Sequence, residues 1–144
     1  WEFAMFAGTN RSAALRAGLG LNAGGLFGGD RVGVSPFVAY RPNEAFETSV
    51  SWNYNDVSLP GGDFDVGLTN FRISYSFSPT LSISGLIQYH DRDELLATNV
   101  RFSWQQSANT GLFIVYNETD DDQNSPGRPR RELILKYSHI VNVF

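Results

Sequence analysis

The sequence contains no cysteine, which excludes disulfide bonds, thiolate metal sites and a thiol nucleophile. It has no apolar run close to the roughly 18 residues that a membrane-spanning helix needs, and no helical stripe of apolar residues. Lys and Arg number 11 against 15 Asp and Glu, so no basic surface indicates a nucleic-acid partner. What remains is a chain with 14% aromatic residues and 14 glycines, a composition typical of β proteins.

Apolar and polar residues alternate with a period of two along most of the chain, which predicts β-strands. In the clearest segment, Phe71, Ile73, Tyr75 and Phe77 alternate with polar residues. The pattern predicts one domain over residues 1–144 with nine strands, at residues 1–8, 13–23, 31–41, 46–55, 67–77, 81–91, 95–104, 111–118 and 132–144.

The connections between these strands are expected to alternate between short and long, with long ones at 24–30, 56–66 and 119–131. Outer-membrane barrels alternate in this way between short periplasmic turns and longer extracellular loops. The sequence therefore predicts an antiparallel transmembrane β-barrel of the bacterial outer membrane, or the C-terminal portion of one, with about eight or nine strands. Nine strands would leave the two ends on opposite sides of the membrane. We therefore expect a segment of a larger barrel, a chain that completes a barrel with other chains, or a miscounted eight-stranded barrel.

The apolar phase of the strands carries aromatic residues near the strand ends, where a membrane barrel has its two interfacial belts. The alternative is the interior of a soluble β-sandwich or lipocalin-like barrel, which shows the same alternation. The residues predicted to lie at the lipid interface are Tyr40, Trp52, Tyr54, Tyr75, Phe77, Tyr89, Trp104 and Tyr116.

The opposite phase is polar and would face the lumen. One interpretation is a water-filled lumen whose basic excess favours anionic solutes. Another is a structural network that plugs a narrow barrel, and in a soluble protein the same residues would form the wet surface. The residues predicted to face the lumen are Arg16, Glu47, Arg72, Gln88, His90, Asn99, Arg101 and Lys136.

Catalysis and metal binding have little support in the sequence. His90 is a candidate general base with Asp91 as its carboxylate partner, but no nucleophile motif or metal-ligand spacing accompanies the two residues. Acidic residues in the connections suggest either divalent ions that bridge to lipopolysaccharide or simply solvated loops, since their spacing matches no calcium loop. We predict no catalytic residue, no metal and no cofactor. The predicted partners are outer-membrane lipid and lipopolysaccharide, and the remainder of a larger barrel or other protein chains.

The C-terminal third carries three motifs: Asn99-Val100-Arg101-Phe102-Ser103-Trp104, Gly111–Glu118 and Arg131–Tyr137. They resemble the C-terminal outer-membrane β-barrel region of large proteins of unknown function that carry an N-terminal family-9-type carbohydrate-binding module. In that family an N-x-R-x-x-W strand, a V-Y-N-E strand and an L-x-L-K strand close the barrel. The resemblance implies a longer parent protein. The resulting hypotheses are a porin-like transport wall for small polar solutes, a structural or anchoring barrel subunit, and an outer-membrane hydrolase.

Overall fold

A computed structural model of the chain describes residues 1–10, 12–107, 110–121, 123 and 128–139. The described residues form nine strands, β1 Glu2–Gly8, β2 Leu15–Leu26, β3 Gly29–Tyr40, β4 Phe46–Leu59, β5 Gly62–Ser78, β6 Leu81–His90, β7 Leu95–Ser107, β8 Thr110–Asp121 and β9 Arg130–His139. They contain no helix that is long and apolar enough to cross a membrane. The all-β prediction with nine strands is confirmed; the part of the predicted ninth strand beyond residue 139 lies outside the described residues.

All nine strands belong to one sheet, in which each strand pairs antiparallel with its neighbours in chain order. Within the described ranges, β1 pairs with β2 alone and β9 with β8 alone, so the sheet has two open edges and is not closed. Because each strand reverses the direction of the one before it, β1 and β9 run the same way.

Directly paired residues lie on the same face of a sheet, so the register defines two faces. The face that we call the apolar face is marked by one continuous row of partners: Leu15, Tyr40, Thr48, Ile73, Gly85, Val100, Tyr116 and Leu133. The polar face is marked by the neighbouring row: Arg16, Ala39, Ser49, Arg72, Leu86, Asn99, Asn117 and Glu132.

The strands are progressively displaced along their own direction. The first of these rows starts at Leu15, the first residue of β2, and this is the end of the sheet at which β1 finishes. The row ends at Leu133, near the opposite end of the sheet, where β9 starts. Displacement of this kind accompanies the strand tilt by which sheets close into barrels.

The predicted long connections at 24–30 and 56–66 are wrong. β2 and β3 pair up to Leu26 and Gly29, so the turn contains only Phe27 and Gly28, which have φ of 47° and 84°. Two consecutive positive φ values are typical of the tight hairpin turn that matches strand twist. Leu59 likewise pairs with Gly62 across a two-residue turn. The Gly and Asp residues of these segments are typical of loops, but their backbones continue the ladder.

Pro36 lies inside β3, which is a central strand. Pro has no N–H to donate to the ladder, and the pairing of β3 with β4 passes from Val34–Tyr54 to Phe37–Ser51 without Ser35 and Pro36. Pairing with β2 continues through Leu19 and Pro36. The ladder of β3 is therefore interrupted only on the side that faces β4.

The connections lie at two ends of the sheet, which we call the upper and the lower end. The upper end holds the turns at 27–28, 60–61 and 91–94, and the lower end holds the connections at 41–45 and 79–80.

Candidate functional site

The apolar face has no partner layer, and its large side chains are exposed. Nearly every exposed large hydrophobic residue lies on it, including Val50, Phe71, Ile73 and Ile87. The exceptions are Trp1, Phe6, Phe27 and Ile134. An apolar surface of this extent marks contact with another protein or a membrane.

The polar face is the more covered of the two. Along β6, the exposed residues Ile83, Ile87 and Tyr89 all lie on the apolar face, whereas the residues between them are half-buried. The buried hydrophobic residues of the described chain are Ala39 and Val57, with 5% and 4% exposure, and both belong to the polar face. A water-soluble sheet shows the reverse, with its apolar face covered.

Aromatic rings line the lower end of the apolar face. The rings of Tyr40 and Phe46 lie 6.5 Å apart, those of Phe46 and Tyr75 6.4 Å, and those of Tyr75 and Phe77 4.8 Å. This lower belt crosses three neighbouring strands, β3, β4 and β5. Toward the upper end, Trp52 and Tyr54 make a second contact, with centroids 5.3 Å apart. Along β4 the stretch from Phe46 to Tyr54 holds nine residues, close to the ~9–11 residues of a membrane-spanning strand.

All eight aromatic residues predicted for the lipid interface lie on the apolar face: Tyr40, Trp52, Tyr54, Tyr75, Phe77, Tyr89, Trp104 and Tyr116. Phe46 and Tyr137 are further aromatic residues in the same phase of β4 and β9, and the alternation of the sequence is enough to identify them. The interfacial role itself stays a prediction.

On β4 and β5 the polarity of the two faces reverses near the upper end. The apolar-face positions change from Tyr54 to Asp56 on β4 and to Asp65 on β5. At the same level the polar-face positions of these two strands become apolar, with Val57 buried opposite Phe64. This upper part of β4 and β5, which we call the upper extension, has the pattern of a water-soluble sheet, while the band below it has the inverse pattern. The reversal does not include β3, where Arg31 lies on the polar face opposite Val57.

The upper margin of the apolar face is oblique to the strands. On β3, β8 and β9 the first charged residue above the apolar band is Asp30, Glu118 and Arg131, respectively. The row of paired residues through Arg131 reaches β3 at Val38, eight residues from Asp30 and six strands from β9. Eight residues span about 26 Å and six strand spacings about 29 Å, which gives an inclination of roughly 40°. This inclination is similar to the tilt of about 35–45° that strands have in membrane barrels.

Hydrogen-bonded amide ladders cross the polar face. Gln88 Nε2 donates to Asn70 Oδ1 at 2.8 Å, and Asn70 Nδ2 lies 3.5 Å from Ser51 Oγ. Asn99 Nδ2 donates to Asn117 Oδ1 at 2.5 Å, and Asn117 Nδ2 donates to Glu132 at 3.3 Å. The second ladder and Gln88 line a hollow of about 350 Å³. Of these ladder residues, the sequence alone predicts only Gln88 and Asn99 to face the lumen, since finding their partners requires the register.

All eight residues predicted to face the lumen lie on the polar face: Arg16, Glu47, Arg72, Gln88, His90, Asn99, Arg101 and Lys136. The structure brings Arg16 and Glu47 together at 3.5 Å. It does not gather the set into one cluster, because Lys136 lies on β9 and His90 at the upper end of β6.

The suggested pair of His90 and Asp91 does not form. His90 Nδ1 lies 3.1 Å from Asp93 Oδ2 instead. The Asp91 carboxylate accepts a hydrogen bond from the Gly67 N–H at 2.6 Å, which ties the turn between β6 and β7 to β5. No group of three or more His, Cys, Asp and Glu residues positioned to hold a metal ion occurs within the described ranges.

Above the band, β8 and β9 are joined by an ion pair. Arg131 Nη2 lies 3.2 Å from Glu118 Oε1, and the Tyr116 hydroxyl donates to the other carboxylate oxygen. The Tyr116 hydrogen bond, and then the Arg131 hydrogen bond, hold the pKa of Glu118 below its ordinary value.

Arg72 and Arg101 line a second hollow on the polar face, of about 300 Å³, together with Ser84, Leu86 and Asn99. Arg72 is directly opposite Ser49 and Leu86, and Arg101 is directly opposite Ser84 and Val115. Within the described part of the chain, neither arginine forms an ion pair. The basic residues that do so there are Arg16, His90 and Arg131.

No protein-family model, curated protein or solved structure matches this chain. The resemblance to the barrel region of large carbohydrate-binding-module proteins therefore stays a prediction.

Proposed function

We propose that the sheet is part of a β-barrel wall in a bacterial outer membrane, and that its polar face lines a passage for small polar solutes. The observations that carry this proposal are the reversal of polarity on β4 and β5 and the oblique upper margin of the apolar face across the sheet. In the proposed wall the apolar face is outward and the polar face inward. Below the margin the outward side chains are apolar and the inward ones mostly polar, and above it, on β4 and β5, the order is that of a protein in water.

Lipid accounts for the apolar band better than a protein partner does. A docked protein would cover a patch of irregular outline, whereas the band has a height of nine residues on β4, an aromatic belt toward each end and a charged upper margin. Aromatic rings at two levels with aliphatic side chains between them are the usual profile of a barrel in a bilayer.

A passage for polar solutes is supported by the small and hydrogen-bonding residues of the polar face. Serine, asparagine and glutamine side chains leave two hollows, of about 350 and 300 Å³, between the ladders and the arginines. Side chains of this kind hydrate easily, so they would line water rather than exclude it.

Planar-bilayer recording of the reconstituted chain tests the transport role. We expect discrete ohmic conductance steps, which Asn99→Trp should reduce because it fills the polar face. Val100→Trp is the matched control: it changes the next residue, which lies on the apolar face, and should leave the step size unchanged. A silent bilayer after verified insertion, or equal steps in both variants, would contradict the passage.

The two open edges favour a second function, that of a structural subunit that completes a larger barrel. Unpaired backbone groups are costly in hydrocarbon, and the free edges of β1 and β9 would need partner strands there. Cysteine pairs between β9 and strands of co-purifying chains would test this role. Capture of a defined partner by a cysteine on β9, together with a silent bilayer, would favour the structural role over transport.

A further inference from the structure

We propose that Arg72 and Arg101 form a binding site on the polar face for small organic anions that carry an apolar group, such as an aromatic carboxylate. The inference deepens the proposed function and rests on it, because it needs the polar face to meet water inside the barrel. It names the solute class that this wall would retain.

The two arginines have the geometry of a shared site. They lie on β5 and β7, with only β6 between them and an offset of two residues along the strands, so their backbones are about 12 Å apart. Both side chains line the hollow of about 300 Å³, and both are exposed to it rather than packed away. Two guanidinium groups facing one water-filled space can each donate paired hydrogen bonds to a carboxylate.

The charges around the hollow leave these arginines available. Glu47, the acidic residue of the polar face on β4, is already paired with Arg16. Glu132, on β9, accepts a hydrogen bond from Asn117. The direct cross-strand neighbours of the two arginines are serine, leucine and valine. An anion from solution would therefore meet two cations and no described carboxylate directly opposite either of them.

Apolar side chains on the same face define the rest of the ligand. Leu86 lies between the arginines and lines the hollow. Next to Arg101 the polar face becomes apolar, with Val115 opposite Ile134, which is 44% exposed. An inorganic anion would use only the arginines, whereas a carboxylate on a ring or short chain would also cover these apolar side chains.

The site is tested by fluorine NMR of 4-fluorobenzoate with the chain reconstituted in detergent, because line broadening reports binding without requiring transport. The neutral 4-fluorobenzamide measures partition into the micelle. We expect saturable binding of the benzoate that inorganic phosphate displaces only weakly. Arg72→Gln and Arg101→Gln should each weaken it about tenfold, as expected for loss of a charge-assisted hydrogen bond.

Arg31→Gln is the matched control. Arg31 is also an arginine of the polar face, but it lies on β3 opposite Val57, at the upper end and away from the hollow. It should leave the affinity unchanged. Equal loss in all three variants, absence of saturable binding, or phosphate binding as tight as benzoate binding would overturn the inference. Benzoate binding by a chain that is silent in planar bilayers would keep the site and reject the passage.

Discussion

On β4 and β5, the middle band of the sheet and the upper extension have opposite polarity. On β5 the outward positions are Phe71 and Ile73 in the band and Asp65 in the extension, whereas the inward positions are Arg72 and Phe64, respectively. Local propensity does not explain the change, because the strand continues without interruption from Gly62 to Ser78. In the proposed placement the two levels face different solvents, and the comparison predicts where the margin of the lipid lies.

The difference between the two levels is tested most strongly by a charge on each side of the margin, on the same strand and the same face. Ile73→Lys puts an ammonium group in the band and should lower the free energy of unfolding in lipid vesicles by about 2–4 kcal/mol. Asp65→Lys, in the extension, should cost no more than about 1 kcal/mol. Urea titration of both variants in vesicles measures the difference, and similar losses would mean that the two levels share one solvent.

Two substitutions on the polar face give the complementary test. Val57→Thr adds a hydroxyl at a position with 4% exposure and should cost about 1–3 kcal/mol, because the group loses water without a prepared partner. Ser49→Val, on the same face of β4 within the band, should change stability by less than about 0.5 kcal/mol. A large loss for Ser49→Val would mean that the band has a polar core rather than a wet wall.

Lowering the pH should reduce stability through Glu118 at the margin, by less than the substitutions above. The pKa of Glu118 is lowered in the folded protein by Tyr116 and Arg131, so its contribution to stability is present above the ordinary carboxyl pKa and is lost as the pH falls through the lower folded value. Unfolding followed between pH 6 and pH 3 should show this loss, and Glu118→Gln should remove that part of the pH dependence. Glu44→Gln, in the exposed connection after β3, should retain it.

Much of the sheet was predictable from alternation alone. A period of two identifies nine strands and assigns Ile73 and Arg72 to opposite faces without knowledge of the fold, because successive side chains of a strand point to opposite faces. The upper ends of the strands escaped prediction, because glycine and aspartate near Gly25, Asp30 and Asp63 resemble a loop by composition. Whether they pair depends on two strands together, so the composition of one segment does not predict it.

The polar face was predictable residue by residue but not as a set of contacts. Its members follow from phase, whereas the ladder from Asn99 through Asn117 to Glu132 follows from register, which the turn lengths fix. The sequence predicts long loops where the structure has two-residue turns at 27–28 and 60–61, so it does not give the register that shows which residues meet. The same limit applies to Arg72 and Arg101, which alternation places on one face but only pairing through β6 places at one hollow.

Quenching of single tryptophans by brominated lipids tests the central claim most directly. With Trp1, Trp52 and Trp104 replaced by phenylalanine, Phe71→Trp and Phe64→Trp each place one indole on β5, the first outward in the band and the second inward in the extension. We expect lipids brominated along the acyl chain to quench the Phe71→Trp protein strongly and the Phe64→Trp protein hardly at all. Equal quenching of the two, or none of the first, would contradict a lipid-facing band that ends below Asp65.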